Sequence, residues 1–538
     1  MSDPHTPLTL HGSERGDRIT VFGPGDTIFG AGGRDKLFYG DHYGYLYGGA
    51  GGDRLFFSAG PGGLGETFGG SGDDRIRITV SGGTHYGGSG VDTFWGGTGS
   101  DSLFGDEGRD TLYGRGAEDV LFGGAGIDDL HGQGGADSIH GGAGADSIYG
   151  GADRDTLAGD TGSDALHGIR GADALYGGAG ADALFGGGGN DTLWGGAAGA
   201  GVDILQLGGG DDTAYGGADR TEAYGGAGRD TITAGGNDDS LWGGAGRDVL
   251  SGQGTLYGGG QDDEITGAGT LYGGGENDTI TGAGRLSGGD GNDRIVVTGA
   301  STVYGDADDD VITGGGFAAE ILFGGSGHDE IMGAVSAYGG LGDDMIGTTK
   351  RVLPHAGGAA PPGPATAGAA TLHGGQGADR IASDRATATL FGEDGDDHLW
   401  GGLGWVTAFG GDGVDTLGGA RGGDVLNGGA GDDVILGAND DSGRGSTLIG
   451  GSGADTFHFV VENDTAARET HIVEDFSLEN DALRVRLQLS GTTTDTEAVS
   501  GGVRLSWSKD GARQLEITLE GYDLVSWDPS ALSVNLDF

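Results

Sequence analysis

The sequence contains no cysteine, so a disulfide framework, a thiolate metal site and a cysteine nucleophile are all excluded. Proline is scarce, nine in 538 residues, although glycine reaches 132. That excludes a collagen-like chain, which needs abundant proline on a three-residue period. Positive charge is sparse too: 28 Lys and Arg stand against 82 Asp and Glu, a formal net charge of −54. A basic footprint for a phosphate backbone is therefore missing, and nucleic acid is not an expected partner. Hydrophobic residues make up 35%, and no run approaches the length of a membrane span. The opening residues, MSDPHTPLTLHGSERGDRIT, hold no apolar stretch of the kind a Sec signal needs. A missing disulfide usually points to the cytosol, yet a secreted chain can be stapled by metal instead.

What the chain has in excess is a nine-residue period. Residues 87–194 form twelve consecutive nonapeptides, among them GGSGVDTFW (87–95), GGTGSDSLF (96–104), GGAGADSIY (141–149) and GGGGNDTLW (186–194). The first position is Gly and the eighth a large apolar residue in all twelve. The sixth is always Asp: Asp92, Asp101, Asp110, Asp119, Asp128, Asp137, Asp146, Asp155, Asp164, Asp173, Asp182 and Asp191. A looser form upstream supplies Asp17, Asp26, Asp35, Asp53 and Asp74. This leaves no room for a separate domain ahead of the array.

Downstream, an irregular stretch at 195–224 gives way to Asp230, Asp239 and Asp248. Asp263, Asp278 and Asp293 are then fifteen apart, because six-residue pieces such as GAGTLY (267–272) replace every second nonapeptide. These read as coils with one intact edge and one trimmed edge that should hold no ion. Asp310, Asp329 and Asp344 follow. Residues 350–370 hold four prolines and no apolar period, the composition of a linker or protruding loop. The array resumes with Asp379, Asp397, Asp415 and Asp433 at eighteen-residue steps, alternating with Ala388, Val406 and Asp424, and ends at Asp455. From about 459 period-two alternation replaces it, with Lys509-Asp510-Gly511 as a hairpin turn. The expected division is a repeat array at 1–349, a linker at 350–371, a second array at 372–458 and a β cap at 459–538.

Nine residues suit a turn plus a three-residue strand. Two repeats make a coil of eighteen residues with a strand on each face, its middle residue inward. Aspartates eighteen apart then stack in register, Asp92, Asp110 and Asp128 on one edge and Asp101, Asp119 and Asp137 on the other. Carboxylates ~5 Å apart repel by about 0.8 kcal/mol even at the dielectric of water. A solvated acidic face would not keep Asp at one position in twelve repeats of twelve. Such stacks call for cations, and oxygen ligands without Cys or periodic His favour a hard one, Ca²⁺ rather than the stricter Mg²⁺.

The nonapeptide G-G-x-G-x-D-x-U-x resembles the repeat of the RTX, or haemolysin-type, calcium-binding proteins over nearly the whole chain. The resemblance implies an all-β fold: a right-handed parallel β-roll, with a short antiparallel β cap at its C-terminal end. Each ion would sit between stacked turns, with Asp92 and Asp110 flanking one site and the carbonyls of Gly87 and Ser89 contributing. Asp455-Thr456-Phe457-His458-Phe459, Ile472-Val473-Glu474-Asp475-Phe476 and Asn480-Asp481-Ala482-Leu483 resemble the family's C-terminal targeting domain. That implies secretion by type I machinery through an uncleaved C-terminal signal, and folding on extracellular Ca²⁺.

Catalytic patterns are missing: there is no H-E-x-x-H, no G-x-S-x-G and no phosphate-binding loop. Position nine carries Trp95, Phe104, Tyr113, Phe122, Tyr149, Tyr176, Phe185 and Trp194, with His131, His140 and His167. Mutual stacking across coils is the plainer reading of these rings, a sugar platform the sharper one. The expected protein is not an enzyme but a secreted calcium-binding roll with a structural, adhesive or matrix role. Its partners would be calcium, the secretion machinery, and a polysaccharide or cell surface. The alternative is a secreted enzyme or toxin-like effector with a cryptic site in 195–224 or 316–373.

Overall fold

A computed structural model describes residues 7–520 except 41, 59–64, 80–81, 198–200, 349–365, 403, 420–422, 438–443, 462–468, 478–479, 488–491, 500–501 and 510–511. Among the described residues there is no helix; the chain is all strand and turn, built as a parallel β-solenoid. It divides into two compact units, Met1–Thr270 and Leu271–Phe538, with about 23 turns of solenoid between them.

In the first unit each strand pairs in parallel with the strand one coil later. Thr93–Trp95 lies on Thr111–Tyr113 with Phe94 opposite Leu112. On the other face Ser102–Gly108 lies on Val120–Gly126 with Leu103 opposite Leu121. The step is the eighteen residues that two nonapeptides predict. Eighth-position side chains point inward, and Phe94, Leu103, Leu112, Leu121, Leu130 and Ile139 are all fully buried. Seventh and ninth positions point outward. The turn between strands needs left-handed backbone at its second position, as at Gly124 (φ 112°), where a side chain would meet the Asp106 carbonyl.

The outward rings of position nine stack on one another. Phe104 and Phe122 have centroids 5.0 Å apart, and His131 sits 4.8 Å from both Tyr113 and Tyr149. Near the end of the unit the step shortens as expected: Leu241 lies opposite Leu256, fifteen residues on. There Gly254 occupies the trimmed edge, where a side chain would collide with the carbonyl of Asp239.

The second unit keeps the same ladder. Ile295 pairs with Ile312, and Leu399 with Leu417. The register also passes over the proline-rich stretch, since Ala337 lies opposite Leu372. Residues 366–370 of that stretch belong to the strand Thr366–Gln376; the remainder lies outside the described residues. Parallel pairing continues past 459. Thr456–Val461 pairs with Ala482–Leu487, burying Phe457, Phe459, Leu483 and Val485. The antiparallel part comprises Thr492–Val499, Gly502–Lys509 and Ala512–Glu520, the last also pairing in parallel with Glu469–Glu474. The anticipated hairpin joins Lys509 to Ala512; its two turn residues lie outside the described set. No described helix is long and apolar enough to cross a membrane.

Candidate metal centres

The sixth-position aspartates do not face solvent. Asp92 is fully buried, and its neighbours Asp101, Asp110 and Asp119 are 1% exposed. After the first member of a column, each is turned inward by one interaction: its Oδ1 accepts the backbone N–H of the aspartate one coil earlier. The N–H of Asp92 donates to Asp110 at 2.7 Å, that of Asp110 to Asp128 at 2.7 Å, and that of Asp101 to Asp119 at 2.8 Å. These links form columns. The first runs Asp17, Asp35, Asp53, Asp74, Asp92, Asp110, Asp128, Asp146, Asp164, Asp182. It ends on Asp203, a residue of the irregular stretch. The second runs Asp101, Asp119, Asp137, Asp155, Asp173, Asp191, then Asp212, Asp230, Asp248 and Asp263. In the second unit a third column links Asp278, Asp293, Asp310, Asp329, Asp344, Asp379, Asp397, Asp415, Asp433 and Asp455.

Sequence reasoning missed Asp203, Asp212 and Asp481. The first two lie nine apart, each followed after one residue by a buried Leu205 or Ala214, so the repeat was there to be seen. An insertion had merely lengthened the step to 21. Asp481 closes the third column: its Oδ1 accepts the Asp455 N–H at 3.0 Å and its Oδ2 the Ser477 N–H at 2.7 Å.

Three named aspartates stand apart. Asp26 uses both oxygens on the N–H groups of Leu8 and Gly23. Asp239 accepts the Thr221 N–H, and Asp424 that of Val406. On that edge of the second unit Ala388 and Val406 are buried where the aspartate would be. The second column starts on Asp101, whose Oδ2 takes the Gly97 N–H and whose Oδ1 faces Nε2 of buried His85 at 3.9 Å.

With Oδ1 committed to the ladder, Oδ2 is left over. The Oδ2 atoms of Asp92, Asp110, Asp128, Asp155, Asp310 and Asp397 are buried and accept no hydrogen bond among the described residues. Burial without a partner is costly for a carboxylate. On the protein's own charges, burial raises the carboxyls of Asp92, Asp110, Asp128 and Asp155 to about 7, and their column neighbours push the same way. Asp119, Asp310 and Asp397 rise to about 8 for the same reasons. Asp17, at the exposed start, is lowered instead by hydrogen bonds from Ser13.

In many repeats a backbone carbonyl oxygen approaches the same space as the leftover oxygen. A methyl group placed on Gly123 would lie 2.5 Å from Asp128 Oδ2 and 2.6 Å from the carbonyl oxygen of Gly141. Gly168 has the same arrangement with Asp173 and Gly186, and Gly374 with Asp379 and Gly392. First-position glycine is thus needed because a carboxylate and a carbonyl from the next coil fill the space a side chain would take. Gly87 sits against Asp92 Oδ2 and the Gly105 carbonyl, while its own carbonyl meets Asp74 Oδ2 beside Gly69. The Ser89 carbonyl accepts the Gly72 N–H at 2.7 Å.

This donor set fits a hard cation: oxygen only, anionic, and spaced one coil apart. No three His, Asp or Glu side chains converge among the described residues, so a coordination shell there would draw on backbone carbonyls or water as well. The fold and its columns define a class: a parallel β-roll built around stacked oxygen ligands for cations. A family model described as the RTX calcium-binding nonapeptide repeat matches residues 86–121, 95–130, 122–157, 131–166, 167–198, 196–220, 222–250, 287–319, 365–385, 388–405 and 409–442, half of the chain. The chain belongs to the RTX calcium-binding nonapeptide-repeat family. Comparison with curated protein sequences finds no match. Among solved structures the chain is similar to the extracellular lipase LipA from Serratia marcescens, at 16% identity and a TM-score of 0.14. That alignment covers 52% of this chain and 40% of the lipase.

Proposed function

We propose that this is a secreted protein that folds on extracellular Ca²⁺ and acts as a structural or adhesive module. The observation that carries the reading is the column of buried aspartates, in which Asp92, Asp110 and Asp128 have one oxygen held by the ladder and the other unpartnered among the described residues. Calcium bound there would supply the positive charge that these stacks lack. The holding residues would be column neighbours such as Asp92 and Asp110, with first-position carbonyls such as that of Gly105. In a low-calcium compartment the same carboxylates disfavour the fold, which keeps the chain open for export. Calcium-binding energy becomes folding energy outside. Support for type I export comes from the family and from the D-T-F-x-F motif of the tail, whose Phe457 and Phe459 are buried at the end of the roll.

The competing reading places a catalytic site in 195–224 or 316–373; in the first of these stretches Asp203 and Asp212 are taken up by columns. The test is circular dichroism of the whole chain with calcium and with chelator at pH 8. Strand signal should appear only with calcium; signal unchanged by chelator would refute the proposal.

A further inference from the structure

A chain with 28 basic residues against 82 acidic ones would be expected to scatter its cations as ion-pair partners. One face of the first unit does the opposite. Arg18 pairs in register with Lys36, Lys36 with Arg54, and Arg54 with Arg75, at the seventh position of four successive coils. Neighbouring strands are ~4.8 Å apart, so this is a continuous file of like charges. All four are exposed, as is Arg77 beside them, and none of the five forms an ion pair among the described residues. Their outward neighbours down to Tyr113 are Thr20, Phe38, Phe56, Thr93, Trp95 and Thr111, with no carboxylate among them. At the seventh position the opposite face carries Thr27, Tyr45, Glu66, Thr84 and Ser102, one carboxylate and no cation. The asymmetry belongs to one face, not to the composition.

We propose that this face is a binding site for a linear acidic polysaccharide, laid along the file Arg18, Lys36, Arg54 and Arg75 with its carboxylates or sulfates on successive cations. A repeating cation column answers a repeating anion, and the polymer would relieve the repulsion that the column carries alone. Arg75 joins two grooves. Arg34, Lys36 and Arg54 line one with it, and Arg77, Trp95 and Arg115 the other. Single-stranded nucleic acid would need open ring faces for its bases. Here the Phe38 faces are taken, by Arg18 at 5.1 Å on one side and by Phe56 at 4.6 Å on the other. What the file presents along its length is charge, which suits carboxylates on a sugar chain.

The first groove also includes the column residues Asp35 and Asp74, with Asp73 at its rim. Binding therefore rests on the calcium reading above, because Arg34, Lys36, Arg54 and Arg75 only just outweigh those three carboxylates until the column residues are neutralised. The experiment uses the whole calcium-loaded chain and polygalacturonate, titrated by calorimetry, with dextran, oligo(dT) and phosphatidylglycerol vesicles as comparison probes. Polygalacturonate should bind in preference to all three, with affinity falling steeply as salt rises. The pair Arg54→Gln and Arg75→Gln should weaken it roughly tenfold or more, since the charge contacts carry the affinity. Lys36→Gln with Arg77→Gln, a second pair, should weaken it likewise. Arg154→Gln with Arg170→Gln, away from the file, should leave it unchanged. Equal binding by the file variants, equal binding of dextran, or preference for oligo(dT) or vesicles overturns the site. A chain that folds with calcium yet ignores polygalacturonate defeats this site alone; one that does not respond to calcium defeats the functional reading beneath it.

Discussion

The chemistry of this protein is concentrated in one atom per repeat, the second carboxylate oxygen of the sixth-position aspartate. Its partner oxygen is fixed by the backbone N–H of the previous coil, so the leftover oxygen cannot turn out to water. These carboxyls hold protons more tightly folded than unfolded. Stability of the chelated protein is thus fully present below the ordinary carboxyl value near 3.8, and is lost as pH rises through about 6 for Asp137, 7 for Asp92 and 8 for Asp119. Chelated protein should keep its strand signal at pH 5 and lose it by pH 8; equal signal at both would contradict the assignment. Asp119→Asn isolates the effect. Its amide oxygen can still accept the Asp101 N–H, but the buried charge is gone. In chelator the variant should keep its strand signal to a higher pH than the parent, while in calcium it should lose about 1–3 kcal/mol of stability. Shifts of the same sign in both would sink the idea.

At the level of the coil, stability comes from a two-sided interior one residue deep. Leu157 is fully buried between coils, and Leu157→Ala should cost about 2–5 kcal/mol in calcium, read from chemical denaturation. Phe122, outward and stacked between Phe104 and His140, should cost only about 0.5–1.5 kcal/mol when replaced by Ala. A cost for Phe122→Ala matching that of Leu157→Ala would mean that the ring ladder, not the interior, carries the fold.

The coil itself was legible because Gly, Asp and an apolar residue recur at fixed offsets, and each has a separate steric or electrostatic reason to do so. What was not legible has physical causes as well. Asp203 and Asp212 were hidden by an insertion that changes spacing without changing stacking. Thr67 and His85 occupy buried eighth positions, paired to each other at 3.0 Å, and no apolar pattern announces a polar rung. Alternation beyond 459 is the same for parallel and antiparallel strands, so the continuation of the roll to Ala482–Leu487 could not be read from it. The glycine cradles depend on oxygens from the next coil, which no single repeat contains.

For the molecule as a whole, net charge and buried charge make different demands. A formal charge of −54 would be screened by salt, but carboxylates inside the columns would not. At pH 8 in chelator, 1 M NaCl, where the Debye length is about 3 Å, should leave the chain unfolded, while millimolar calcium should compact it. Light scattering gives the radius in each case; compaction by NaCl alone would show that general repulsion, not the columns, governs folding. The coil length is a second whole-chain constraint. Deleting residues 349–365 shortens the step from Asp344 to Asp379 from 35 residues to eighteen, the ordinary coil. That variant should fold with calcium at the same midpoint as the parent; loss of folding would mean that the segment is needed for the register and does not merely interrupt it.

The ladder between aspartates has a direction. In every column the N–H belongs to the earlier coil and the accepting carboxylate to the later one, and Asp481 ends its column with both oxygens satisfied by the protein. A coil added on the N-terminal side finds its acceptor already waiting; one added on the C-terminal side brings an acceptor and leaves its own amide wanting. Either addition closes one rung, so a coil has both its amide and its carboxylate in use only when neighbours stand on both sides of it, and the ladder ties each coil's folding to that of the next.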